Sequence, residues 1–141
     1  LTRREVMDVF TPGDHGSTFG GNPLAAAVGK AALDLLMEDQ LIERAARMGD
    51  YFQAQLKRLV SPLIKDVRGK GLLIGLEIDE KYPARILCLK LLQHGVLTRD
   101  THGTVIRFAP PLIITEEQID TAVSALQKVL AEADAEVKEK Q

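Results

Sequence analysis

The sequence predicts an α/β chain whose C-terminal part is a small α+β unit, with a short, mostly antiparallel sheet and helices. Three observations predict it. Two helical periodicities follow one another in the first 60 residues or so, an apolar alternation of period two begins at Leu72, and a capped amphipathic helix stands near the end.

The elements follow in order. Residues 11–22 are dense in glycine and small polar side chains and read as loop. A helix is expected from Asn22 and Pro23, because asparagine suits the N-cap and proline the first helical position. Leu24, Val28, Ala31 and Leu35 then recur at helical spacing, and the many alanines suggest a helix covered on both faces. A second helix is expected over about residues 40–60, with Leu41, Ala45, Met48, Phe52, Leu56 and Leu59 as its apolar face. Ser61 and Pro62 end it, since the residue before proline is pushed out of the helical region.

Residues 63–67 are short, apolar and β-compatible, residues 68–71 read as a turn, and Leu72, Ile74, Leu76 and Ile78 line one face of a strand. Pro83 opens a third helix that Gly95 stops near His94. Residues 96–98 and 105–108 are expected as strands around a turn at residues 100–103. Thr115 and Gln118 form a capping-box pattern before Ile119, Val123, Leu126 and Leu130. The charged tail from Glu132 is expected to fray. The domain boundary falls near Ser61 and Pro62, which gives units 1–61 and 62–141.

Composition narrows the function classes. Of 141 residues, 45% are hydrophobic and 27% charged, the balance of a globular domain with a real core. A formal net charge of -2 gives no electrostatic reason to expect nucleic acid or an anionic membrane. No apolar run approaches the about 20 residues of a membrane span. A single cysteine, Cys88, excludes an internal disulfide framework and fits a reducing compartment, with cytoplasm expected and the mitochondrial matrix as the alternative. No His, Cys and carboxylate spacing suggests a metal site. The first residue, Leu1, hints at a processed or truncated product.

Two segments carry chemistry. In the loop, Gly16, Gly20 and Gly21 let backbone amides approach an anion, and Ser17 and Thr18 add two hydroxyl donors. The loop leads into a helix N-terminus, whose partial positive charge favours an anion. On local chemistry alone the loop is equally well a turn capped by Asn22 with no ligand. It is neither a Walker A loop, lacking Gly-Lys-Ser/Thr, nor a dinucleotide fingerprint, lacking a preceding strand. The second segment places Arg107 in an otherwise apolar stretch ending in Pro110 and Pro111. A guanidinium there is either a surface or ion-paired arginine, the reading that local chemistry favours, or a bidentate carboxylate clamp. His102, His94 and Cys88 read as turn, cap and helix-face residues, and His15 can approach the glycine-rich loop but has no identifiable acid partner nearby.

The string Pro12-Gly-Asp-His-Gly-Ser-Thr-Phe-Gly-Gly-Asn-Pro-Leu24 resembles the signature loop of the pyridoxal-phosphate-dependent aminotransferase subgroup that contains the ornithine, acetylornithine and 4-aminobutyrate enzymes. Arg68-Gly-Lys-Gly-Leu72, Thr101-His-Gly103 and Ile106-Arg-Phe-Ala-Pro-Pro-Leu112 extend the likeness over nearly the whole chain. The resemblance implies the C-terminal part of a fold-type-I transferase, with residues 1–61 ending the large cofactor-binding domain and 62–141 forming the small domain. It implies that Thr18, assisted by Ser17, binds the phosphate of pyridoxal 5'-phosphate in a homodimer partner's site, and that Arg107 binds a carboxylate of the amino-acid or oxo-acid substrate. It implies transfer of the δ-amino group of ornithine to 2-oxoglutarate, giving glutamate semialdehyde and glutamate, and a place in proline biosynthesis. Acetylornithine and 4-aminobutyrate are the alternative donors. No lysine here stands in a context resembling the family's Schiff-base lysine, so the chain alone is expected to be inactive and to need a missing N-terminal portion. The reading of another class is a non-catalytic interaction or regulatory module derived from the small domain.

Overall fold

The computed structural model describes residues 2–139. Its contacts divide it into two compact units, Leu1–Glu38 and Asp39–Gln141.

The first unit contains a single-turn helix α1 (Arg4–Met7), a loop without regular structure, and α2 (Pro23–Glu38). The Asn22 side chain accepts from the Ala25 amide at 2.9 Å, so asparagine caps α2 as its position predicts. No residue of α2 is buried among the described residues.

The second unit holds α3 (Leu41–Lys57), β1 (Ile64–Lys70), β2 (Leu73–Ile78), α4 (Ala84–Gln93), β3 (Arg99–Thr101), β4 (Val105–Phe108) and α5 (Glu116–Glu139). The four strands form one antiparallel sheet in the order β1-β2-β4-β3. Period-two alternation puts Ile74, Leu76 and Ile78 of β2 on the inner face with Ile106 and Phe108 of β4. Helices α3 and α4 lie against that face, and α5 packs on both. Phe52 of α3 meets Phe108 edge-on, with ring centroids 5.2 Å apart. Leu56, Leu87, Leu91, Leu126 and Val129 complete the same cluster. The outer face of the sheet carries Arg68, Leu73, Arg99 and Arg107, all exposed.

The two compact units part at Glu38, and α3 commits Phe52 and Leu56 to the sheet's core. Three sequence expectations change. Residues 68–70 are strand rather than turn. The register pairs Arg68 with Gly75 and Lys70 with Leu73, which leaves the reversal to Gly71, at φ 53°, and Leu72. Residues 96–98 are not a strand. The Val96 amide bonds the Leu91 carbonyl and closes the end of α4, so pairing starts only at Arg99. The tail does not fray at Glu132. Ala133 is fully buried, and Lys90 donates to Glu132 at 3.0 Å and to Glu136 at 2.6 Å, while Tyr82 also donates to Glu136 at 2.8 Å. Residues 140 and 141 lie outside the described residues.

Other expectations stand. Thr115 and Gln118 exchange the two reciprocal hydrogen bonds of a capping box. Gly95 takes φ 79° after the end of α4. Helix α3 ends at Lys57, its last amides closing onto Gln55 and Leu56, a few residues before the proline stop.

Candidate functional site

The loop of the first unit is built from two local turns. The Thr11 amide and hydroxyl both donate to Asp14, at 2.7 and 2.9 Å, and the Asp14 amide returns to the Thr11 carbonyl at 3.0 Å. Those bonds, the backbone one foremost, hold the Asp14 carboxyl below its ordinary range. The second turn closes when the Gly20 amide reaches the Ser17 carbonyl at 3.2 Å. A side chain at Gly20 would crowd the Ser17 hydroxyl at 2.9 Å, so glycine keeps that hydroxyl clear. Gly21 sits at φ 73° and turns the chain into α2. The Asn22 amide group donates to the Phe19 carbonyl at 2.6 Å, which ties the turn to the helix cap.

Ser17 and Thr18 are both exposed within this turn, beside the N-terminus of a 16-residue helix whose first turn carries no acidic residue. Gly16 faces open space. Two free-standing hydroxyls, accessible amides and a positive helix end are the donor set of a phosphate. This set fits the phosphate end of a cofactor, and the loop, residues 8–22, holds no lysine. His15 is exposed and stands 6.2 Å from the Phe10 ring, with no acid paired to it among the described residues.

The second unit places Arg107 in the middle of β4, hydrogen-bonded between β2 and β3, with its side chain on the outer face. Pro110 and Pro111 follow, and the Ile114 amide bonds back to the Pro111 carbonyl, which fixes the strand exit. Arg107 is exposed and forms no ion pair among the described residues. The desolvation cost expected of an arginine in an apolar stretch is therefore not incurred, because alternation turns this residue away from the core. It opens on a recess of about 850 Å³ that Arg85, Arg99 and Asp100 also line. Arg85 and Asp100 pair at 3.3 Å.

The sequence reading singles out Ser17, Thr18 and Arg107 and passes over Arg99. The signal for it is the short β3–β4 connection, where His102 and Gly103 take φ of 53° and 78° and pair Thr101 with Val105. That register sets Arg99 opposite Arg107. His102 is thus a turn residue, and His94 occupies the C-cap of α4. Cys88 is buried, and desolvation, its main influence, pushes its thiol up, away from nucleophilic use. Among the described residues no group of His, Cys, Asp and Glu could hold a metal ion, and no helix is long and apolar enough to cross a membrane.

Comparison with known proteins gives one family. The family model for aminotransferase class-III matches residues 1–130. An ornithine aminotransferase of Staphylococcus carnosus is 58% identical over 127 residues, which is 90% of this chain and 32% of that protein. The solved ornithine aminotransferase of Toxoplasma gondii, which holds PLP at partial occupancy in its active site, superposes with a TM-score of 0.85 at 42% identity, over 98% of this chain and 33% of that one. An acetylornithine aminotransferase from Elizabethkingia anophelis reaches 0.81 at 46% identity, over 94% and 36%. The chain spans about a third of the length of the curated relatives it matches.

Proposed function

The chain belongs to the class-III aminotransferase family, and we propose that it is the C-terminal portion of an enzyme that moves the δ-amino group of ornithine to 2-oxoglutarate, giving glutamate semialdehyde and glutamate. The observation that carries the choice of ornithine is the 58% identity to a curated ornithine aminotransferase. The cofactor of the family is pyridoxal 5'-phosphate, which supplies an electron sink at the carbon bearing the transferred amine.

This chain's own residues bind and orient. Ser17 and Thr18 donate their hydroxyls to the cofactor phosphate, Gly16 lets the backbone come close, and the N-terminus of α2 adds its partial charge. The exposure of both hydroxyls supports a loop that serves the site of a second protomer rather than a closed pocket of its own. Arg107 grips a substrate carboxylate through its planar fork, and the paired strands on either side keep that fork from drifting. No lysine of this chain stands in a context resembling the family's Schiff-base lysine, which supports the reading that the 141 residues alone are inactive.

Assay of the full-length enzyme with ornithine, acetylornithine and 4-aminobutyrate as donors tests the reading. Ornithine is expected to give the highest kcat/KM, and a higher value with either rival donor overturns the choice. In the same enzyme Arg107→Gln is expected to lower kcat/KM for 2-oxoglutarate by about 10- to 100-fold, the loss of a bidentate charged contact.

A further inference from the structure

Helix α3 grips the chain behind Arg107 at two points. At the near point Phe52 meets the ring of Phe108, the residue that follows Arg107. At the far point one guanidinium nitrogen of Arg44, Nη2, donates to the Ile113 carbonyl at 3.2 Å and to the Ile114 carbonyl at 2.8 Å. Positions 44, 48 and 52 share one face of α3, and Met48 packs on the core between the two anchors. The anchors stand about 12 Å apart along the helix axis.

The stretch between them is stiff. Pro110 and Pro111 lock φ and carry no amide donor, so neighbours can hold those two residues only through carbonyls and side chains. Beyond them the Ile114 amide closes onto the Pro111 carbonyl at 3.0 Å. A stiff segment does not absorb a shift of its far end. It passes the shift to its near end, which here is the end of β4 that carries Arg107. Hydrogen bonds from a guanidinium are stronger than those from a neutral donor, and Arg44 is half-buried, which suits it to hold the far end still.

The fold has other means for what Arg44 might otherwise serve. The capping box of Thr115 and Gln118 secures the start of α5, and Phe52 and Leu56 seat α3 on the sheet. What Arg44 adds falls on the exit of β4. We infer that Arg44 is a positioning residue for the carboxylate clamp, fixing residues 109–114 and through them the fork of Arg107. The inference rests on the reading of Arg107 as a substrate clamp. A bidentate contact depends on orientation, so a small pivot of β4 weakens it without removing any group that touches the substrate.

The test is a double-mutant cycle in the full-length enzyme, with Arg44→Ala, Arg107→Gln and the double variant, reading kcat and KM for 2-oxoglutarate. Arg44→Ala is expected to raise KM about 10-fold and to leave kcat within about two-fold. Arg44→Lys, which still offers a charged donor, is expected to recover part of that loss. In the Arg107→Gln background Arg44→Ala is expected to change KM by less than about two-fold, because the group it orients is already gone. Gln118→Ala weakens the cap of α5 and serves as the comparison for stability alone: it is expected to lower the melting temperature and keep KM. An unchanged KM in Arg44→Ala overturns the inference, as does a rise of equal size with and without Arg107, or a rise in Gln118→Ala that matches it. Unchanged kinetics in Arg107→Gln overturn the reading of Arg107 itself. Where Arg44→Ala does not fold, Arg44→Gln and Arg44→Lys enter the same cycle, and additivity with Arg107→Gln again overturns the inference.

Discussion

Helix α2 carries Leu24, Val28 and Leu35 at helical spacing and leaves them 75, 61 and 55% exposed, whereas α3 carries Phe52 and Leu56 at the same spacing and exposes 2 and 0% of them. The two helices have nearly equal lengths, 16 and 17 residues. What separates them is the surface each one meets. The inner face of the sheet presents Ile74, Leu76 and Phe108 to α3, and an apolar side chain gains free energy only from area removed from water. Apolar periodicity thus specifies that a helix has a face to cover, and not whether the described residues cover it.

The largest test of this contrast is a matched pair of truncations. Phe52→Ala is expected to cost about 3–5 kcal/mol in urea unfolding of the chain, through lost transfer energy and the cavity beside Phe108. Val28→Ala is expected to stay within about 0.5 kcal/mol, because its side chain already meets water. Equal costs would erase the distinction between the units. The next effect is local. Asn22→Ala removes the cap of α2 and is expected to weaken that helix end by about 1 kcal/mol. Amide exchange should quicken at Ala25 and its neighbours while the amides of β2 and β4 keep their rates.

The smallest effect sharpens the electrostatics of the second unit. Asp79 is buried, accepts from Lys65 at 2.6 Å and from the Lys81 amide at 2.9 Å, and the Lys65 contact foremost holds its carboxyl below the ordinary value of 3.8. A depressed carboxyl contributes stability that is present above the unfolded value and lost as pH falls through the folded one. Melting temperature should therefore decline between about pH 5 and about pH 2, and Asp79→Asn should lower it at neutral pH and flatten that decline. A decline of the same steepness in the variant would assign the acid sensitivity to other carboxylates.

Much of the fold was legible because its signals are local. Asn22 and the pair Thr115 and Gln118 cap helices with their own neighbours, and the β2 alternation needs no knowledge of the rest of the chain. The misread segments depend on partners distant in sequence. Residues 68–70 became strand because β2 pairs with them, and the charged tail stayed helical because Lys90 and Tyr82 hold Glu136. The candidate site divides in the same way. Ser17, Thr18 and Arg107 stand in recognisable strings. Arg99 gains meaning only from register, which a three-residue loop between β3 and β4 sets.

The approach of α3 to the β1–β2 reversal limits how this protein can vary. Any Cβ at Gly49 would fall onto the backbone of Gly71, where no change of rotamer offers relief. The helix would have to lift off the hairpin as a rigid rod, drawing Phe52 away from Phe108. Position 71 is constrained in turn by its left-handed backbone. Neither glycine is free to change alone, and a lineage that acquires a side chain at 49 must first rebuild the hairpin beneath it.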